Sequence, residues 1–540
     1  MTGARAVRRN VATVLSAITL FVAALAPGLI GSGSPLALVR IPIESIVALV
    51  VLMLLPWRWA RRLVAAVVAA LLVLAAVGAA LDRVFEETVG RPFDAATGWP
   101  EVVDGYGVVS DSTGSVAAAA ILIGVVVVLA GAVVAVAASL LHLARVAAGR
   151  RRTTMIGASA VTASWIALAL VGTQLVPGDP VAAADTVSAA VATTDQVTSA
   201  AHDRTAFDAE VAKDAYASTP SSDLLTGLKG KDVIVAFIES YGQVAVQNTP
   251  FSAGVDAVLS RGNAQLAAHG YSERSAFLTS STFGGVSWLA HATLQSGVWV
   301  DSQAKYDRLT SGSRLTLSDA FRRAGWQTVS DVPSDTGPWP VGRSFYHYGR
   351  ELNATNVGYE GPRFSYARVP DQYTWANFQR QELSKPHKPL MAEIDFVSSH
   401  TPWTPLPHLV PWASVGDGSV YDGQPAQGLP PSVVWQDPRH VQQLYGQSVE
   451  YTMSTLFSFL TTFDDPNLVL VVLGDHQPAT VVSGAGANHE VPISIISQDP
   501  AVIDRISSWQ WQPGMLPSPT APVWRMDAFR DRFLAAYGSG

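Results

Sequence analysis

Five apolar stretches crowd the first third of the chain, at roughly 11–31, 37–56, 62–81, 115–141 and 154–176. Each reaches the length of about 20 residues that a helix needs to cross the hydrocarbon core of a bilayer. Within that core every backbone N–H and C=O has to be satisfied inside the segment, so an isolated apolar stretch can only be helical. The sequence therefore predicts an all-α domain of five transmembrane helices over residues 1–176. The first stretch has the position of a signal peptide, but further stretches follow at once and it is read as retained.

Orientation follows from the placement of arginine. Arg5, Arg8 and Arg9 precede the first stretch, Arg58, Arg61 and Arg62 lie between the second and third, and Arg145, Arg150, Arg151 and Arg152 lie between the fourth and fifth. The 82–114 loop carries mostly acids, among them Asp82, Glu86, Glu87, Asp94, Glu101, Asp104 and Asp111. With five passes and a cytoplasmic N-terminus, all three basic clusters fall on the cytoplasmic side and residues 177–540 fall outside. The second stretch contains Arg40 and Glu44, four residues apart on one helix face, and ionisable groups inside a span are costly. The expectation is that Arg40 snorkels to the outer interface with Glu44 as its partner; the alternative is contact with a lipid headgroup.

Residues 177–228 are rich in Ala, Thr, Ser and Asp and read as a linker, either a helix near 182–216 or a loose chain. From 229 to 540 the composition becomes that of a globular α/β domain. Short continuous apolar runs at 232–238 (DVIVAFI), 389–398 (PLMAEIDFVS) and 467–473 (NLVLVVL) have the pattern of buried parallel strands. A further strand is expected at 272–278. Helical patterns near 251–268, 315–324, 371–383 and 438–463 alternate with them, which implies a doubly wound α/β sheet.

Ligands collect at the C-terminal ends of strands in such sheets. Here those ends carry Glu239, His400 and the pair Asp475-His476. Carboxylate and imidazole donors together suit Zn²⁺ or Mn²⁺. The stretch 279–297, TSSTFGGVSWLAHATLQSG, reads as a Gly-Gly turn opening a helix with Ser287 at its N-terminus. Backbone N–H groups there favour a bound phosphate, and a serine oxygen beside a divalent ion becomes a usable nucleophile. Ser281 and Thr282 are rival nucleophiles, and a plain helix cap is the bland alternative for Ser287. His489, 13 residues after His476, is a further candidate for metal or substrate contact. His291 is read as packing beneath the site. The formal net charge of −7 and the lack of a basic stripe argue against a nucleic-acid partner. With no cysteine in the chain, disulfides, thiolate metal sites and a cysteine nucleophile are excluded.

In this order the motifs FIESYG (Glu239), GGVSWLAHATLQSG (Ser287), SDTGPWPVGRSFYHYG (Trp339, Arg343), SSHTPW (His400) and VLGDHQPA (Asp475, His476) resemble the alkaline phosphatase/sulfatase superfamily. Within it the chain looks most like the lipoteichoic acid synthase-like membrane phosphoglycerol transferases. The resemblance implies a five-helix membrane domain followed by an extracytoplasmic, sulfatase-like α/β domain on a multi-pass protein of a bacterial cell membrane. It implies one divalent ion, Mn²⁺ first with Zn²⁺ or Mg²⁺ as alternatives, on Glu239, Ser287, Asp475 and His476. Catalysis would fall to Ser287 and His400, and substrate contact to Trp339, Arg343 and His400. The implied donor is a phosphatidylglycerol-like lipid and the implied acceptor a cell-envelope glycan or polymer. Sulfate-ester hydrolysis is not expected, because no serine near the nucleophile lies in a [CS]-x-[PA]-x-R context. A phosphodiesterase or phosphatase, a phosphoethanolamine transferase and a non-catalytic regulator of envelope synthesis are the alternatives.

Overall fold

The computed structural model describes residues 2–176, 179–247 and 249–539. The chain divides into two compact units, one of Met1–Glu86 with Arg91–Asp203 and one of Glu87–Gly90 with Arg204–Gly540.

Helices build the first unit: α1 (Thr2–Ser32), α2 (Ile43–Leu54), α3 (Arg58–Val89), α4 (Trp99–Thr113), α5 (Ser115–Ala148), α6 (Arg151–Val171) and α7 (Asp185–Ala212). Small residues let α1, α2, α3 and α5 approach closely. Ala24, Ala48, Ala65, Ala69 and Ala144 are buried among Leu20, Leu52, Leu72, Val136 and Leu140. Most other apolar side chains of these helices face outward, as a lipid-exposed surface requires.

Four helices among the described residues are long and apolar enough to cross a membrane: Val7–Ser32, Arg58–Val89, Ser115–Ala148 and Arg151–Val171. The second apolar stretch departs from the expected fifth. It begins as a 3₁₀ turn (Pro35–Val39), becomes extended at Ile41–Pro42, and is α-helical only over the 12 residues of α2. Such a helix is about 18 Å long, well short of the roughly 30 Å hydrocarbon core. Pro42 is the local cause. It has no N–H to donate and pushes the preceding residue toward extended backbone, so the helix starts after it.

Arg40 also finds a different partner from the one expected. Its guanidinium donates to Asp185 Oδ1 and Oδ2 at 2.6 and 3.0 Å, and its Nε donates to the Pro180 carbonyl at 2.9 Å. Glu44 Oε1 instead accepts the Thr186 backbone N–H at 3.0 Å, at the N-terminus of α7 where a carboxylate complements the helix dipole. A two-residue parallel pairing of Ile41 and Pro42 with Ala182 and Ala183 completes this junction. Arg40 is 5% exposed and Asp185 16%, so breaking the pair strands a buried charge. We expect Arg40→Leu to cost about 3 kcal/mol in thermal unfolding of the detergent-solubilised protein. The double variant Arg40→Leu/Asp185→Leu should recover most of that loss; equal losses in the two proteins would refute the coupling.

The second unit is organised by one large sheet. Its strands are β1 (Asp232–Ile238), β2 (Ser272–Thr279), β3 (Gln327–Val332), β4 (Arg350–Asn353), β5 (Leu390–Phe396), β6 (Leu468–Gly474), β7 (Glu490–Ser497), β8 (Gln512–Pro513) and β9 (Val523–Arg525). The order is β8-β2-β7-β6-β1-β5-β3-β4, with β9 also paired to β2. The run β6-β1-β5-β3-β4 is parallel, and β7 runs antiparallel to both β6 and β2.

Continuous apolar sequence in β1 follows from burial on both faces. Val233, Val235 and Phe237 enter one core, with Leu289 and Leu294 of α9 (Ser287–Ser296) and with Phe529 and Phe533. Ile234, Ala236 and Ile238 enter the other, with Val255 and Leu259 of α8 (Ser252–Ala268) and with Tyr445 and Met453 of the long helix Pro438–Phe463. Each buried Val, Leu, Ile, Met or Phe among them contributes about 1.5–3 kcal/mol of transfer free energy before entropy is charged against it. Register then positions the chemistry: Gly474, Ile238 and Phe396 lie in one row across β6, β1 and β5. The residues that follow leave the sheet side by side.

Candidate metal and active site

Glu239 follows β1, Asp475 and His476 follow β6, and the three present ligand atoms within 4.8 Å of one another. α9 (Ser287–Ser296) brings the fourth group. Ser287 Oγ lies 3.0 Å from Glu239 Oε2 and 3.1 Å from His476 Nε2. Local backbone forces these positions. Val286, just before α9, and Ser240, just after Glu239, both have φ in the left-handed region, at +55° and +57°. A β-branched residue rarely adopts that conformation, and strain of this kind concentrates at functional sites. Gly474 cannot carry a side chain, because a Cβ would stand 1.9 Å from the Tyr241 carbonyl oxygen.

Surrounding hydrogen bonds fix each donor. Asp475 Oδ1 accepts the backbone N–H groups of Ser240 and His476, at 2.8 and 2.6 Å. The Asp475 carbonyl accepts the Ser280 hydroxyl at 2.5 Å. His476 Nδ1–H donates to the Gln477 carbonyl at 2.8 Å, which leaves the Nε2 lone pair facing inward. Ser240 Oγ donates to Glu239 Oε1 at 3.0 Å, and Tyr445 OH holds the Ser240 carbonyl at 2.8 Å.

A divalent ion fits this arrangement. Asp475 Oδ2 is buried with no hydrogen-bond partner, which is costly unless a cation meets it. His476 Nε2 stands 3.4 Å from Glu239 Oε1 and 3.5 Å from Asp475 Oδ2. Donors about 2.1 Å from one tetrahedral ion are about 3.4 Å apart. The electrostatics agree. Burial raises the Glu239 pKa, but His400 and His476 outweigh it and hold the carboxyl below its usual range. Burial and Glu239 push Asp475 up. Burial disfavours charge on His476, yet Asp475 and Glu239 raise its pKa. Glu239, Asp475 and His476 are thus a set of donors that could hold one divalent cation.

The other sequence candidates fall at different distances from this cluster. His400 is half-buried; desolvation lowers its pKa, and it feels the charges of Glu239 and His476. Its Nδ1–H donates to the Thr401 carbonyl at 2.5 Å, and the Tyr366 ring stacks on it at 3.5 Å between centroids. The His489 ring lies 5.3 Å from that of Phe283, and its carbonyl accepts the Ser280 N–H at 2.8 Å. Ser281 Oγ pairs with Thr293 Oγ1 at 2.8 Å and Thr282 Oγ1 contacts Ser280 Oγ at 3.4 Å, so the rival hydroxyls engage neighbours outside the cluster. Trp339 packs against Tyr346 and Tyr348, and Arg343 is 72% exposed with Nε 3.5 Å from Glu351 Oε2. Neither makes a described contact with the Glu239 cluster.

Several supporting groups escaped the sequence reading. Ser240, Ser280, Tyr366 and Tyr445 have no distinguishing local pattern. Glu393 and Asp395 did leave a signal: two acids two residues apart point to one face of an otherwise apolar parallel strand.

Neither the protein-family models nor the curated proteins searched contain a match to this chain. Solved structures do match. The integral membrane lipooligosaccharide phosphoethanolamine transferase A from Neisseria meningitidis is 12% identical, with 97% of this chain and 95% of that chain covered and a TM-score of 0.41. The lipoteichoic acid synthase LtaP from Listeria monocytogenes is 14% identical, covering 53% of this chain and 69% of that one at a TM-score of 0.32. The Streptococcus pyogenes phosphoglycerol transferase GacH, solved with sn-glycerol-1-phosphate, is 13% identical, covering 63% and 91% at a TM-score of 0.35.

Proposed function

We propose that the chain is a metal-dependent transferase that moves a phosphoglycerol-type headgroup from a membrane phospholipid to a cell-envelope glycan or polymer. One observation carries the reading: Ser287 Oγ, at a helix N-terminus, stands within 3.1 Å of both Glu239 and His476. Glu239, Ser287, Asp475 and His476 would hold one divalent ion, Mn²⁺ first and Zn²⁺ or Mg²⁺ as alternatives. When bound, it supplies positive charge that lowers the serine pKa and offsets charge on the phosphoryl oxygens.

Ser287 Oγ bonds to phosphorus as the P–O bond to diacylglycerol breaks, and the serine proton leaves with the alcohol. The phosphoserine diester then passes its headgroup to an acceptor hydroxyl, whose proton restores the serine. Backbone N–H groups at the start of α9 face the phosphoryl oxygens. His400 has Nδ1 committed to a carbonyl, so its Nε2 is the atom left to hold or position the moving proton. Trp339, Arg343 and His489, outside the hydrogen-bonded cluster, serve in this reading as substrate contacts.

Anchoring the domain to a membrane gives it lipid at high local concentration. In this reading α2 and the segment before it make a fifth pass, because only then do all three arginine clusters face the cytoplasm. The absence of cysteine makes a clean test. A cysteine placed at Ser222 should react with membrane-impermeant maleimide in intact cells, and one at Gly149 should not; the reverse pattern would overturn the orientation.

The chemistry is tested with headgroup-labelled phosphatidylglycerol, a titrated divalent ion and added glycan acceptor. Label should move to the acceptor only with metal present. Label released only as free glycerophosphate would make the protein a phosphodiesterase, and transfer only from phosphatidylethanolamine would make it an ethanolamine-headgroup transferase.

A further inference from the structure

Beneath the nucleophile helix lies a second cluster. His291, one turn after Ser287 on α9, faces Glu393 and Asp395 of β5, and these are the second group among the described residues whose ligand atoms all fall within 4.8 Å. His291 Nδ1 is 3.3 Å from Glu393 Oε1 and 3.6 Å from Asp395 Oδ1. The imidazole stacks on Phe237, 3.8 Å between centroids, which fixes the plane of the ring.

A simple ion pair accounts poorly for this geometry. Both nitrogen–oxygen distances, 3.3 and 3.6 Å, are long for a charge-assisted bond. Asp395 Oδ1 is a buried atom with no hydrogen-bond partner. The neighbours meanwhile occupy the far side of Glu393: the Gln295 amide and Tyr348 OH, the latter at 2.9 Å, both donate to Oε2 and leave Oε1 turned toward His291. A ligating carboxylate oriented by hydrogen bonds to its other oxygen has this form. The nitrogen–oxygen spacings bracket the same value of about 3.4 Å that fits the Glu239 site, as expected for donors sharing one ion.

We propose that His291, Glu393 and Asp395 form a second divalent-cation site, for a transition metal of the Zn²⁺ or Mn²⁺ class, that pins the nucleophile helix to β5. Its mixed imidazole and carboxylate donors match that class. The site is independent of the reading of Glu239, Asp475 and His476. It couples the two in function, because His291 and Ser287 share one face of a ten-residue helix.

The test uses the full-length protein in detergent, stripped by chelator and titrated with Zn²⁺ alone. The wild-type protein should bind two ions per chain by calorimetry and elemental analysis. His291→Gln should bind one, Asp475→Asn should bind one, and the double variant none. One ion in wild type, lost in Asp475→Asn and kept in His291→Gln, would overturn the second site. One ion lost in His291→Gln and kept in Asp475→Asn would support it while removing the first. Asp395→Asn serves as the second probe if His291→Gln fails to fold.

Discussion

Ser287→Ala should lose at least about a thousandfold in headgroup transfer while folding normally and retaining metal. Only one atom is removed. Glu239 and His476 lose their contacts with Ser287 Oγ, but Glu239, Asp475 and His476 keep the other bonds that orient them. α9 also keeps its start, because Val286 rather than a serine side chain sets its N-terminus. The measurement pairs initial rates with intact-mass analysis. Wild-type protein mixed with donor lipid and no acceptor should gain the mass of one glycerophosphoryl group, and the variant should gain nothing. A variant that turns over at the wild-type rate, or still forms the adduct, would return Ser281 and Thr282 to consideration.

The second large effect is expected at Asp475. In Asp475→Asn the side-chain oxygen can still accept the N–H groups of Ser240 and His476, so the loop after β6 is preserved. The amide nitrogen then replaces the unpartnered Oδ2, placing two donors where the proposed cation would sit. Metal at a hundredfold excess over its Kd stabilises a folded protein by about 2.7 kcal/mol per site. The variant should lose one such increment in metal-dependent thermal unfolding, together with transfer activity. An unchanged thermal response to metal would refute the assignment of Asp475 as a ligand.

The parts of the domain that were legible in sequence share one physical property. β1, β5 and β6 are buried on both faces, so they read as continuous apolar runs and stand within a residue or two of their expected limits. The helices Ser252–Ala268 and Pro438–Phe463 carry their 3.6-residue pattern for many turns and were equally plain. By contrast β3 (QTVSDV) buries Thr328, Ser330 and Asp331, and β7 (EVPISIIS) contains a proline, so neither has a strand's usual composition. Glu239, Ser287, Asp475 and His476 could be proposed because strand ends and a helix N-terminus are visible locally. The second cluster could not, since Glu393, Asp395 and His291 meet only through packing of α9 on the sheet. Arg40 failed for the same reason: its nearest acid in sequence, Glu44, is not its partner, and Asp185 is far along the chain.

The row formed by Gly474, Ile238 and Phe396 also has a consequence in time. β1 emerges early in synthesis of the second unit, yet its neighbour on one side, β6, follows after nearly half the chain. Parallel pairing over such a separation is slow, because the loop between the strands has to close first. Until β6 pairs with β1, Glu239 has neither Asp475 nor His476 beside it, and no ion can be held there. In the proposed reading metal would therefore be acquired last, from whichever compartment the finished domain has entered, and the ion available there would decide which metal is bound.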